Sequence, residues 1–174
     1  MSQLLRLFVQ LVLLRRGPQD LPASELLLVL TLLAYVAVNA LLAGLLSSDE
    51  SWWGPLLVST LFTLLWYLAL LRLVRRPERT LQTVSAVFGF QTLLSPLVVG
   101  TEWLLRRLDT DSVWYVSLSC LGLLLLAWVI AANSHIVKAA LEWTSAASVA
   151  LVILQMLAGF VVLFAVFPPA AVKH

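Results

Sequence analysis

Charge is scarce in this chain. Of its 174 residues only 11% are Asp, Glu, Lys or Arg, while 61% are hydrophobic, and a soluble domain carries about 25% charged residues. That shortage excludes an ordinary soluble fold and makes lipid the expected solvent. Strand-like alternation is missing as well: the Leu, Val and Ala runs are continuous, which excludes a membrane barrel. Helices remain, because backbone amides and carbonyls in hydrocarbon must be satisfied within each segment. Cysteine is almost absent. Cys120 stands alone, so no intramolecular disulfide and no cysteine-based metal site can be built, and it reads as a small buried hydrophobe in a span.

The catalytic vocabulary is equally thin. His135 and His174 are the two histidines, and no HExxH, GxSxG or phosphate-cradling glycine loop occurs. No catalytic residue, metal site or cofactor is therefore expected. No ionisable side chain falls mid-span, where ion-coupled transporters place theirs. No basic stripe interleaved with exposed aromatics suggests nucleic acid. The apolar N-terminal stretch is not expected to be a secretory signal, since Arg15 and Arg16 follow it and no small-residue cleavage site appears.

What is present is a series of long apolar runs. The expected architecture is an all-α polytopic membrane bundle of five transmembrane helices, at about 25–46, 53–73, 83–103, 113–132 and 145–167, forming a domain over 23–174. Residues 1–22 form a separate cytoplasmic segment. There, Ser2 to Arg16 is too short to cross about 30 Å of hydrocarbon at about 1.5 Å per residue. Arg6 and the glutamines Gln3 and Gln10 recur at helical spacing opposite Leu4, Leu7, Phe8, Leu11 and Val12. This pattern predicts an amphipathic helix lying in the interface, or alternatively one packed on the bundle. Gly17 to Pro22, with prolines at 18 and 22, is expected to break it, and Ser24 is expected as the N-cap of the first span. The fourth helix is expected to continue beyond the bilayer and to turn near Glu142 and Trp143. Gly89 and Ser95-Pro96 in the third span predict a kink or a close helix contact near Pro96.

Nine arginines and two lysines are unevenly placed. Arg6, Arg15, Arg16, the group Arg72, Arg75, Arg76 and Arg79, and Lys138 all fall on one side. Asp49, Glu50, Glu102, Asp109 and Asp111 fall on the other, with Arg106, Arg107 and Lys173. The positive side is expected to be cytoplasmic, with the N-terminus inside and the C-terminus outside. Trp52, Trp53, Trp103 and Trp114 mark outer span ends and Trp143 an inner one, whereas Trp66 and Trp128 sit deeper, as helix-packing residues.

Two groups of candidate residues follow. On the cytoplasmic side, Arg15, Arg16, Asp20, Arg75, Arg76, Arg79, Gln82, His135, Lys138 and Glu142 form a possible docking surface for a protein partner or for lipid head groups. Within it, Lys138 and Glu142 are four apart and can pair on a helix, near Asn133. The bland alternative is a solvated helix end and a topology determinant. Within the spans, Asn39, Gln91, Thr92, Ser95 and Gln155, broken at Pro96, are read as interhelical hydrogen-bonding groups or as the neutral lining of a path.

Three strings carry a family likeness: Arg15-Arg16-Gly17-Pro18-Gln19-Asp20-Leu21-Pro22 before the first span, Arg79-Thr80-Leu81-Gln82-Thr83 opening the third, and His135-Ile136-Val137-Lys138-Ala139-Ala140-Leu141-Glu142 after the fourth. With five closely spaced spans, the chain resembles the Yip family of Rab-interacting membrane proteins, and in particular its small bacterial members. Eukaryotic members carry an Asp-Leu-Tyr-Gly-Pro-like string, whereas here the order is Gly-Pro-Gln-Asp-Leu-Pro and Rab binding is not carried over. The first functional reading, from the cytoplasmic Arg and His-Lys-Glu surfaces, is a non-enzymatic membrane protein that organises or scaffolds partners, with membrane lipids, an unidentified protein partner and a second copy as expected associates. The Leu- and Arg-rich, Lys-poor composition points to the cytoplasmic membrane of a bacterium. The second reading is a small transporter or channel subunit.

Overall fold

The computed structural model describes residues 2–46 and 52–168, with side chains from Arg6 onward. The expected turn at 47–51 with Asp49 and Glu50, the tail with Lys173 and His174, and the side chains of Gln3 and Leu4 lie outside the described residues.

Six α-helices follow in order: α1 Ser2–Val12, α2 Glu25–Leu46, α3 Trp53–Leu73, α4 Thr80–Arg107, α5 Val113–Leu141 and α6 Ser145–Val166. The last five are each long and apolar enough to cross a membrane. The chain is thus an integral membrane protein built from helices. Helix starts follow local chemistry: the Ser24 hydroxyl accepts the Leu27 amide at 3.4 Å, as an N-cap does. Ser112 and Thr144 cap α5 and α6 in the same way. Pro55 sits in the first turn of α3, where its missing amide costs nothing.

Two helices run well past the 22 residues of α2, α4 beyond its expected bounds and α5 to its expected turn. α4 runs 28 residues, through Arg106 and Arg107 and unbroken across Pro96. α5 runs 29 residues, about 44 Å at 1.5 Å per residue, and continues to Leu141 before the chain turns at Glu142, at the expected place. In contrast, α1 ends at Val12 instead of reaching Arg16. Leu14 takes a left-handed backbone (φ 58). Its amide and that of Arg15 close back on the carbonyls of Leu11 and Gln10 at 3.0 and 2.9 Å, the paired closure that stops a helix.

Burial is unequal among the spans. Half of the apolar stretch of α4 is enclosed, against 6% to 17% in the other four. Every residue from 83 to 90 is buried, so this part of α4 is surrounded on all sides. Between apolar helices in lipid, association depends on close packing and interhelical hydrogen bonds, and both are visible here. The Phe8 ring of α1 rests on Gly89, leaving no space for a β-carbon, and Tyr35 of α2 meets Phe88 with ring centroids 5.2 Å apart. The close contact lies at Gly89, about two turns before Pro96.

α1 packs onto the bundle. Leu11 is buried, Leu7, Phe8 and Val12 pack against the core, and the Trp128 indole donates to the Val12 carbonyl at 3.1 Å. Cys120, expected inside, lies on the exposed face of α5. The N-terminal half of that helix, with Val116, Leu123 and Leu124, presents its apolar side chains to the surroundings.

Candidate functional site at the basic end of the bundle

The core and the basic residues share one end. There the turn between α3 and α4 is shaped by Pro77, which opens a short 3-10 turn, Pro77–Arg79, leading directly into α4. Arg75 is left-handed (φ 59). The amides of Arg75 and Arg76 bond to the carbonyls of Arg72 and Leu71 at 3.1 and 2.8 Å, so α3 stops as α1 does. This turn aims Arg76 and Arg79 at the end of α5.

Arg79 is the hub. One guanidinium nitrogen donates to the carbonyls of Ala139 and Ala140 at 3.0 and 3.1 Å, which lack helical partners at the end of α5. The other reaches Glu142 at 2.6 Å, and Arg76 reaches the second oxygen of the same carboxylate at 2.6 Å. The Arg76 and Arg79 hydrogen bonds hold the Glu142 carboxyl well below the usual carboxylate range, at about 2. Glu142 in turn pushes the Arg76 guanidinium up.

This geometry replaces the expected Lys138–Glu142 pair. α5 ends at Leu141, and Glu142 is left-handed (φ 57), which turns its side chain off the helical face that Lys138 occupies. Lys138 instead donates to the Ser145 hydroxyl at 2.9 Å. His135 lies on that same side, beside Leu14, Ser134, Lys138 and Ser145 in a cavity of about 220 Å³.

The N-terminal segment closes the junction. Gln82 donates to the Leu21 carbonyl at 2.8 Å, and Leu21 is buried. Asp20 accepts the Gly17 amide at 3.0 Å and pairs with Arg16 at 3.6 Å, so it holds the 3-10 turn Pro18–Asp20 together. Arg15 and Arg75 are exposed. Of the docking residues expected from sequence, then, Arg76, Arg79, Gln82, Asp20 and Glu142 are spent on internal contacts. Arg15, Arg75 and Lys138 are exposed, Arg16 is exposed while paired with Asp20, and His135 is half-buried at the cavity. The contacts of Arg79 and Gln82 also link the three strings at 15–22, 79–83 and 135–142 into one surface.

The intramembrane polar residues form a second constellation. Asn39, Gln91 and Ser95 line a cavity of about 220 Å³ with Tyr35. Gln91 and Gln155 line another of about 310 Å³ with Ser59, Thr63 and Asn133. Gln91 belongs to both. Thr92 and Pro96 line neither: the Thr92 hydroxyl donates to the Phe88 carbonyl at 2.7 Å and Pro96 is exposed. Ser95 donates to the Gln91 carbonyl at 2.8 Å and Asn39 to the Tyr35 carbonyl at 2.9 Å. Gln91 Oε1 and Asn133 Oδ1 are buried without a hydrogen-bond partner among the described residues. Sequence reasoning placed Asn133 with the cytoplasmic cluster. It lies one turn before the buried Val137, on the same face of α5, and so points into the bundle instead.

At the far end, Arg106 pairs with Glu102 and Arg107 stacks over the Trp103 ring at 4.0 Å, so these charges are satisfied locally. Among the described residues no three His, Cys, Asp or Glu side chains converge as a metal cage would require. Comparison with protein-family models, with curated proteins and with solved structures gives no match.

Proposed function

We propose that this integral membrane protein is a non-enzymatic organising subunit. Its working surface is the junction of the 15–22, 79–83 and 135–142 strings, facing the cytoplasm of a bacterium from the cytoplasmic membrane. One observation carries the reading: three polar segments far apart in sequence are tied into a single rigid platform by Arg79 and Gln82, beside the most tightly packed part of the bundle. Rigid support with exposed Arg15, Arg16, Arg75 and Lys138 around it is what a docking surface for an acidic partner needs. The Yip-like resemblance rests on the same three strings and points the same way.

Copurification after mild solubilisation tests this. A partner that accompanies the intact protein should be lost when Arg15, Arg16, Arg75 and Lys138 are changed to Gln with topology preserved. A protein that emerges alone, or a partner that stays despite neutralisation, overturns the scaffold reading.

The two amide-lined cavities favour a second reading, a neutral path through the bundle, because Gln91 lies on both. A Cys120→Ser protein carrying Gln155→Cys should then react with a water-soluble thiol reagent. Silence at that position excludes a hydrated path, and the solid packing at 83–90 stands in its way.

A further inference from the structure

The cavity between the end of α1, the last turns of α5 and the first turn of α6 has a distinctive chemistry. Its polar lining consists of Ser134, His135, Lys138 and Ser145, groups that can all donate hydrogen bonds, with no carboxylate among them. Lys138 is uncompensated: its neighbour is the Ser145 hydroxyl, and among the described residues no carboxylate pairs with it, since Glu142 has turned to Arg76 and Arg79. Ser145 opens α6, so the positive end of a 22-residue helix dipole faces the same place. Ser134 is only 6% exposed, and its hydroxyl has no hydrogen-bond partner among the described residues. A positive charge, a helix N-terminus and an unused buried hydroxyl in about 220 Å³ describe a site waiting for an anion.

The walls decide which anion. Leu14 and Val149 complete the lining, and one face of α6 continues from Val149 through Ile153 to Leu157, all exposed. A free inorganic ion has no use for that stripe, whereas an acyl chain does. We infer that the cavity holds the phosphate of an anionic phospholipid, with Lys138, Ser134 and Ser145 on the phosphate and the chains lying along α6. Arg15, the residue after Leu14, is exposed and adds to the positive charge of this end of the bundle. This assignment does not depend on any protein partner and survives if the scaffold reading fails.

Native mass spectrometry of the full chain in neutral detergent tests it, with phosphatidylglycerol, phosphatidylcholine and inorganic phosphate as probes. Phosphatidylglycerol should bind in preference to phosphatidylcholine, and inorganic phosphate should not displace it. Lys138→Gln should weaken phosphatidylglycerol binding roughly fivefold, the effect of about 1 kcal/mol per basic group, while Arg72→Gln, an equal change of charge away from the cavity, should leave it unaltered. Val149→Phe narrows the cavity without touching charge and should weaken binding too, which keeps the test alive if Lys138→Gln fails to fold. Equal losses in Lys138→Gln and Arg72→Gln would mean diffuse attraction and overturn the site. So would equal binding of phosphatidylcholine, displacement by phosphate, or indifference to Val149→Phe.

Discussion

At the residue scale, Arg79 does more than its charge requires. Its planar fork serves two backbone carbonyls and a carboxylate together, a geometry a lysine cannot reproduce. Arg79→Ala should therefore lower the melting temperature in detergent more than Arg76→Ala, which loses the Glu142 contact alone, and Arg79→Lys should rescue little. The ion pairs are solvent-accessible, so added salt should narrow the gap between Arg76→Ala and the native protein. The acid side has a definite sign. Glu142 is depressed from 4.5 to about 2, so its contribution is complete above about pH 4.5 and is lost as pH falls towards 2. The stability difference between the native protein and Glu142→Gln should accordingly be full near neutral pH and vanish as pH approaches 2. A difference that persists unchanged into acid would exclude the carboxylate as its source.

Arg75 illustrates a different residue-scale effect. Its left-handed backbone costs a non-glycine residue about 1–2 kcal/mol, and its side chain is exposed. Arg75→Gly should raise stability by about 0.5–1 kcal/mol once the extra freedom of glycine in the unfolded chain is subtracted. The same change should weaken partner capture if Arg75 belongs to the docking surface. Chemical unfolding beside copurification separates the two effects.

At the element scale, the five spans and their order were legible in the sequence, because each is a long apolar run bounded by charge, proline or tryptophan. The cap at Ser24 and the extension of α5 were legible for similar local reasons. What could not be read were the left-handed residues. Leu14, Arg75 and Glu142 are not glycine, so nothing in their identity marks a helix stop, and the Lys138–Glu142 spacing looked like an ordinary i, i+4 pair until the helix ended between them. Burial around α4 was equally hidden: Ser85 and Thr83 look like surface residues by type, yet are enclosed, since lipid-facing and protein-facing positions in an apolar helix differ little in composition. The attachment of α1 depends on one such position. Gly89→Leu should dislodge Phe8 and release α1 while α2 to α6 stay assembled. Limited proteolysis should then cut near residues 13–17 far faster than in the native protein, and the Trp128 hydrogen bond to Val12 should be lost, seen as a shift in its fluorescence. Unchanged resistance would show that α1 is held by something other than this contact.

At the scale of the whole molecule, the bundle is a closed knot at one end and a set of loosely gathered helices at the other. The knot unites the enclosed turns of α4, the last turns of α5, Leu71 and Tyr67 of α3, and Leu11 and Leu21 of the N-terminal segment. It is also where the hydrogen bonds from Arg79, Gln82 and Trp128 cross between elements. Helices joined this way should fail together at the knot and independently elsewhere. Phe88, fully buried against Tyr35, should cost about 3–5 kcal/mol when changed to Ala, because it leaves a void the surrounding helices cannot fill. Leu104 and Leu123 are large apolar residues of similar kind but are 44% and 67% exposed, so Leu104→Ala and Leu123→Ala should cost little, as lipid or detergent takes up the freed space. Unfolding by a denaturing detergent, followed by circular dichroism, can rank the three. Equal losses would mean that the far half is as tightly coupled as the basic end, and a platform held rigid by a local knot would no longer account for the position of the exposed arginines.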